Sequence, residues 1–284
     1  MRSVKDIHDS LYAPIDDLET YRPMPTRSID HIDPFLFLNH HGPQTYSPGN
    51  RGLPFGPHPH RGFETLTYIL KGDIVHQDSG GHKSKIEAGG VQWMTAGSGL
   101  IHSEISSEDF KSKGGEVEIL QLWMNLPAKF KMTDPDYKGL TKDEVKHLDE
   151  DDGKVRVNLI SGDWKGTQGP IDSLTNLMLT SIEIKSGGKF QLDVPKENNI
   201  LFYVAHGTVK VNGKEATEHN LVEFANDDAA LEVEATEDAI LIFGHGKPFE
   251  EPIVAQGPFV MNSHQEIRQA MEDYQAGKMG VWEG

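Results

Sequence analysis

At 284 residues, with 36% hydrophobic side chains, the chain is long enough to bury a sizeable core and to divide into two domains. It contains no cysteine, which excludes disulfides, cysteine nucleophiles, zinc–thiolate sites and iron–sulfur clusters. A formal net charge of −17 argues against direct nucleic-acid binding, which relies on Lys and Arg to neutralise phosphates.

The first residues, MRSVKDIHDSLYAP, have no apolar signal-peptide core, and no run is long enough to span a bilayer. The expectation is a cytoplasmic chain with no membrane partner. DPFLFLNHHGP reads as a buried strand followed by a turn. After it come short apolar segments of strand length, punctuated by Gly, Asn and Asp: ETLTYIL, DIVHQD, VQWMTA and EVEILQLWMNL. The charged stretch KDEVKHLDEDDGK, residues 142–154, suits an exposed linker. Strand-like segments resume with NLMLTSIEIK, NILFYVAHG, TVKVNG, LVEFAN, AALEVEA and DAILIFG.

Many short strands at close spacing predict an all-β fold of the sandwich or barrel type. The two halves also resemble each other. YILKGDIVHQ from Tyr68 aligns with YVAHGTVKVN from Tyr203, so that Gly72 and Gly207 mark the same tight turn. The expected organisation is a first domain over 1–141, a linker over 142–154 and a second domain over 155–284. The last domain ends in a helix: Ser263 and Glu266 form a capping box, Ile267, Ala270, Met271 and Tyr274 share one face, and Gly277 stops it.

The chemistry concentrates in GPHPHRGFETLTYILKG. On a strand, residues i and i+2 point the same way, so His58 and His60 face one side and Pro59 the other. Proline cannot donate to a sheet ladder, which puts this strand at an edge or a strand start. In AGSGLIHSEIS, His102 and Glu104 have the same spacing. If both strands line one cavity, three imidazoles and one carboxylate converge. Such nitrogen and oxygen donors without sulfur suit Fe(II), Mn(II), Ni(II), Cu(II) or Zn(II) and leave positions open on a six-coordinate ion. Glu64 is a further candidate, on the histidines' side only if the strand is unbroken. His76, His82, His40 and His41 read as ordinary strand or turn residues.

These segments carry a resemblance. The His-x-His, the following Glu, the Gly turn and the later His look like the two motifs of the cupin superfamily. HPHRGFETLTYIL, HQDSGG, VQWMTAGSGLIHSE, QLWMNLP and GKPFEEPIVAQGPFVMN resemble the pirin family over nearly the whole chain. The resemblance implies a bicupin, two β-barrels in tandem with a short C-terminal helix and one divalent metal, in the first barrel. It implies non-haem Fe(II) held by His58, His60, His102 and Glu104, with Glu104 rather than Glu64 as the carboxylate ligand. Glu64 is left to a supporting role behind the ligands. The activity implied is dioxygenation of flavonols such as quercetin, with a small aromatic or enolic substrate and O2 as partners. In eukaryotes the family is also linked to transcriptional co-regulation through protein partners.

In this reading Glu104 also serves as the catalytic proton acceptor. Phe55, Trp93 and Met94 form pocket walls by their nearness to the ligand strands, and Gln121 hydrogen-bonds to a ligand. The second half lacks the site, since Asp193 and Pro195 stand where His58 and His60 would. Glu232 and Glu234 in LEVEA read as a solvated strand face. A monomer is expected, because two barrels in one chain already provide the pairing that single-barrel cupins reach by dimerising. Two other functions fit the same residues: a redox-sensing regulator acting through a protein partner, and a degenerate cupin binding small organic acids.

Overall fold

The computed structural model describes residues 1–282. The polypeptide forms two compact β units, and each unit is discontinuous in sequence. One comprises Tyr12–Thr20, Phe37–Asp143 and the chain from Phe249 onward; the other comprises Met1–Leu11, Tyr21–Leu36 and Glu144–Pro248. Phe37–Asp143 and Glu144–Pro248 form the bulk of the two units, and neither unit is a continuous stretch with the expected boundaries 1–141, 142–154 and 155–284.

In the first unit, a four-stranded antiparallel sheet has the order Phe55–His60, Leu100–Ile105, Asp73–Asp78, Lys83–Glu87. Phe55–His60 is an edge strand, as its prolines demand. A seven-stranded sheet includes, in this order, Asp136–Leu140, Val91–Thr95, Phe63–Lys71 and Gly115–Asn125. Within it, Val91–Thr95, Phe63–Lys71 and most of Gly115–Asn125 are buried on both faces, which is why they read as largely apolar runs, whereas the edge strand Asp136–Leu140 is not. Odd-numbered residues of Phe63–Lys71 and Gly115–Asn125 turn toward the four-stranded sheet. At one end Ile69, Val117 and Ile119 join Ile74, Ile86 and Phe110 in an apolar cluster. Toward the other end the same face carries Thr67 and Gln121.

The second unit repeats this arrangement. One sheet runs Val4–Asp9, Asn220–Phe224, Asn199–His206, Ala239–Gly246, Met178–Ile184, Val155–Ser161, Lys146–Glu150; the other runs Lys189–Asp193, Ala230–Ala235, Thr208–Val211, Lys214–Thr217. The internal repeat is real in structure: Gly72 has φ +82° and Gly207 φ +78°, each joining a strand of one sheet to a strand of the other sheet in its unit. A Cβ at Gly72 would sit 2.9 Å from the Glu116 carbonyl oxygen, and one at Gly207 would press closer still on that of Asp238, so neither position accepts a side chain.

Two expectations need correction here. The stretch 142–154 is not all linker: Lys146–Glu150 pairs with Val155–Ser161 as a sheet edge. Its charge reflects that edge position, where charged side chains blunt further pairing. The C-terminal helix, His264–Gln275, has the expected Ser263 cap, but it belongs to the first unit. Ile267 and Ala270 are buried against Phe259, Met261 and Met279, whereas Tyr274 is exposed. A second helix, Glu108–Lys113, capped by Ser107, was not anticipated.

The interior of the second unit is filled by apolar side chains, among them Val157, Trp164, Ile182, Phe190, Phe202 and Phe243. Glu232 is exposed on the sheet face, as expected, and accepts a hydrogen bond from Gln191. Trp164 is 1% exposed, packs on Phe190 and Phe243, and donates its indole N–H to Glu150 at 2.7 Å. Trp164→Ala is expected to lower the unfolding free energy by about 3–5 kcal/mol, read as a drop in the urea midpoint of the second unit's transition.

Candidate metal centre

Two strands bring three histidines together. Leu100–Ile105 pairs with Phe55–His60 so that His102 lies opposite His58, Ile101 opposite Pro59 and Leu100 opposite His60. The ring centroids of His58, His60 and His102 are 4.5–4.9 Å apart. One nitrogen of each ring falls within a group whose members all lie within 4.8 Å of one another. The Nε2 atoms of His58 and His102 are 3.0 Å apart.

Hydrogen bonds assign the tautomers. His58 Nδ1 donates to the Gly56 carbonyl at 2.7 Å, and His60 Nδ1 donates to the Pro258 carbonyl at 3.3 Å. A carbonyl only accepts, so the neutral rings carry their protons on Nδ1 and leave Nε2 as a bare lone pair. The Nε2 of His60 is buried and has no hydrogen-bond partner. Burial, and secondarily the neighbouring His58, lowers the His60 pKa to about 3, against a small opposing effect of the Pro258 bond. His102 is held well below the ordinary imidazole value by burial and then by His60, His58 and His76. Those two rings are therefore neutral near pH 7.

Glu104 is buried, but its carboxylate lies outside the 4.8 Å group. A register shift between His102 and Glu104 interrupts the pairing with Phe55–His60, and Glu104 lies opposite Phe55. Thr67 Oγ1 donates to its Oε1 at 2.8 Å and Gln121 Nε2 donates to its Oε2 at 2.5 Å. Thr67 and Gln121 are themselves directly cross-strand partners. Gln121, expected in the substrate pocket, thus touches Glu104, and so does Thr67, which the sequence does not single out. No local signal marks it, because the contact depends on which strands pair and at which register.

The expected walls separate into two groups. Met94 lies opposite Thr65, on the face of Thr67. Phe55 is partly buried against the apolar cluster, with His41 at 5.1 Å between ring centroids. Trp93 is not part of this cavity face. It lies opposite Leu66, on the reverse of the sheet, and its indole donates to Glu64 Oε1 at 3.1 Å. The strand is broken after His60 by Gly62, at φ +88°, so Glu64 points away from the histidines. Sequence nearness was the wrong guide there, and strand parity the right one.

The wall that sequence missed is aromatic. Trp123 packs on His60 at 5.3 Å, on Phe63 at 4.5 Å and on Phe37 at 4.7 Å between ring centroids. Its face shares the parity of Gln121. His76, expected to be ordinary, lies 5.5 Å from His102 and stacks on Tyr137 at 3.9 Å. His76 and His82 both contact the Asp78 carboxylate at 3.0 Å. Burial alone would raise the Asp78 pKa, but the bonds from His76 and the His82 backbone hold it below the usual carboxylate range.

Comparison with known proteins now decides the family. The profile described as "Pirin" matches residues 17–124, and "Pirin C-terminal cupin domain" matches residues 179–280. The chain belongs to the pirin family. It is 40% identical, over 87% of its length and 87% of the relative's, to the Pseudomonas aeruginosa protein named "Putative quercetin 2,3-dioxygenase PA2418". It is 39% identical to "Pirin-1" of Arabidopsis thaliana, over 80% of this chain and 78% of that one. The solved structure of a quercetin 2,3-dioxygenase from Acinetobacter baumannii superposes with a TM-score of 0.92 at 31% identity, covering 99% of both chains. The pirin fold accounts for the organisation in two cupin domains. Among the described residues, no helix is long and apolar enough to cross a membrane.

In this pirin, Glu64 offers a pH test free of the histidines. Burial raises its pKa, against the hydrogen bonds from Thr95 and Trp93 that lower it. The folded chain therefore binds a proton that the unfolded chain has released, and stability is lost as pH rises above the ordinary value of 4.5 toward the raised one. Glu64→Gln keeps the acceptor for Trp93 and Thr95 and removes that loss. It is expected to raise the urea midpoint at neutral and alkaline pH and to match the parent chain at acid pH. The gain is about 1.4 kcal/mol for every tenfold by which folding tightens the carboxyl's hold on its proton.

Proposed function

We propose that the chain is a metal-dependent dioxygenase acting on flavonol-like substrates, with one divalent metal, Fe(II), held by His58, His60 and His102 and with Glu104 beside it. The observation that carries this reading is the bare, buried Nε2 of His60 converging with the other two rings. The donor set fits a metal. Two nitrogens each about 2.1 Å from one ion at a right angle stand about 3 Å apart, and the His58 and His102 Nε2 atoms are 3.0 Å apart. Without a cation, the buried His60 Nε2 is left as a lone pair with no partner beside the His58 and His102 rings, an arrangement that costs free energy. The names of the relatives at 40% and 31% identity support the reaction class.

When bound, a divalent metal supplies Lewis acidity that lowers the pKa of a nearby hydroxyl, and a redox-active one supplies electrons for dioxygen chemistry. The protein supplies the rest. Glu104 accepts the proton of the substrate's hydroxyl at a carboxylate oxygen, leaving an enolate for oxidation. Thr67 and Gln121 hold that carboxylate in one orientation, so no reorganisation is needed when the proton moves. Trp123 and Phe37, both half-buried, form a platform for a planar aromatic ring at the edge of His60. Phe55 and Met94 complete the apolar surroundings that limit water.

The test is anaerobic loading of the apo protein with Fe(II), Mn(II), Ni(II), Cu(II) or Zn(II), followed by quercetin and air. The expected result is metal-dependent loss of flavonol absorbance with one carbon monoxide released per turnover. If no metal gives turnover while one is still bound stoichiometrically, the dioxygenase reading fails. The regulator that acts through a protein partner then takes its place.

A further inference from the structure

The C-terminal segment reaches the histidine site although it lies some two hundred residues away in sequence. Pro258 supplies the carbonyl that fixes the His60 tautomer. The next residue, Phe259, bridges to Arg61 in parallel, and Val260 N–H donates to the Arg61 carbonyl at 3.0 Å. Arg61 is 4% exposed; its Nε donates to the Ser98 carbonyl at 2.7 Å and its Nη1 to Asp273 of the C-terminal helix at 2.8 Å. Asp273 also accepts from Gln269 and Lys278. Lys131, 1% exposed, donates to the carbonyls of Gly62 and Val260 at 2.8 and 3.0 Å and to Asn125 Oδ1 at 2.8 Å. The helix end reaches the second ligand strand too: Met279 accepts from Ser79 Oγ, which accepts from the backbone of Ile101, the residue before His102.

We infer that this segment is a positioning element for the metal site, with Asp273 and Lys131 as positioning residues that hold the Pro258 carbonyl against His60 Nδ1. The physical reason lies in the contrast between two ligands. His58 takes its tautomer from Gly56, two residues away on its own strand, and needs nothing from elsewhere. His60 takes its tautomer from a carbonyl that stays in place only while two desolvated cations, Arg61 and Lys131, keep their distant acceptors. A buried charge stripped of its partner is strongly unfavourable, so the chain shifts to re-solvate it. The Pro258 carbonyl is then withdrawn, and His60 becomes free to carry its proton on Nε2, where it cannot ligate. The device presupposes that the three histidines hold a metal.

The experiment uses the full chain with Asp273→Asn, Asp273→Glu and the milder pair Gln269→Ala/Lys278→Ala, which loosens Asp273 without stranding Arg61. Imidazole nitrogen NMR of the metal-free protein reads each tautomer, and a chelator reads the rate of Zn(II) loss from the loaded protein. In the parent, His60 is expected as a single Nδ1–H tautomer. Asp273→Asn should give a mixture at His60, leave His58 unchanged and speed Zn(II) loss about tenfold or more. The milder pair should shift both readouts in the same direction, and Asp273→Glu should return them to near the parent values. A variant that melts earlier yet keeps the parent's His60 tautomer and rate of Zn(II) loss would overturn the inference, and the milder pair decides if Asp273→Asn does not fold. A parent that binds no Zn(II) removes the metal reading instead, while the tautomer spectra still test the positioning.

Discussion

His102→Ala is expected to leave the protein folded and without its metal. Removing a partner that merely orients a ligand costs about 10–100-fold in metal affinity, and removing a ligand costs more. Loss beyond about a hundredfold is therefore expected, with the metal content of the purified variant near zero by elemental analysis. The stability of the metal-free chain should change far less than burial suggests. His102 is wholly buried, so alanine leaves a cavity. The ring it removes is also a desolvated polar group whose Nδ1 has no partner and whose neighbours disfavour its protonation. Loss of packing and relief of an unsatisfied group oppose each other. The decisive comparison is the thermal midpoint with and without metal: the parent should gain stability on loading, as any ligand that binds only the folded state produces, and the variant should gain none. A variant that retains stoichiometric metal would show that the three rings do not form the binding set.

Much of this site was legible in the sequence because strand alternation is a rigid rule. His58 and His60 had to share a side, Pro59 had to place their strand at an edge, and Gly72 and Gly207 had to close the same turn in two halves. What alternation does not reveal is which strands become neighbours. The Thr67–Gln121 clamp on Glu104 exists because Phe63–Lys71 pairs with Gly115–Asn125 at one register, a non-local fact absent from either segment. Trp93 was misplaced for a related reason: it neighbours Met94 in sequence, and adjacent strand residues face opposite ways. The C-terminal segment was assigned to the wrong unit because its apolar stripe specifies that it must be covered and says nothing of which barrel covers it. Composition misled at Lys146–Glu150, where a charged edge strand and a loop look alike.

The clamp makes Glu104→Gln the most informative substitution. The change is isosteric and removes the charge. If Glu104 is the proton acceptor, turnover on quercetin should fall by about 10²–10⁴-fold, the range for losing a general base. The histidines are untouched, so metal content should remain at least half that of the parent. A second effect is specific to this chain. Thr67 and Gln121 both donate to the carboxylate. A glutamine at 104 offers one oxygen and one NH2, so the Gln121 amide meets either an acceptor or another donor. Facing a donor, Gln121 must flip, and its carbonyl then takes the place of its NH2. Gln121→Glu added to Glu104→Gln restores a donor–acceptor match while moving the charge to the other sheet. The double variant should therefore recover the parent's thermal midpoint and substrate KM but not its kcat. Recovery of kcat would mean that a negative charge anywhere near the three histidines is sufficient. Continued absence of turnover with normal substrate binding would tie the proton transfer to the carboxylate beside His102.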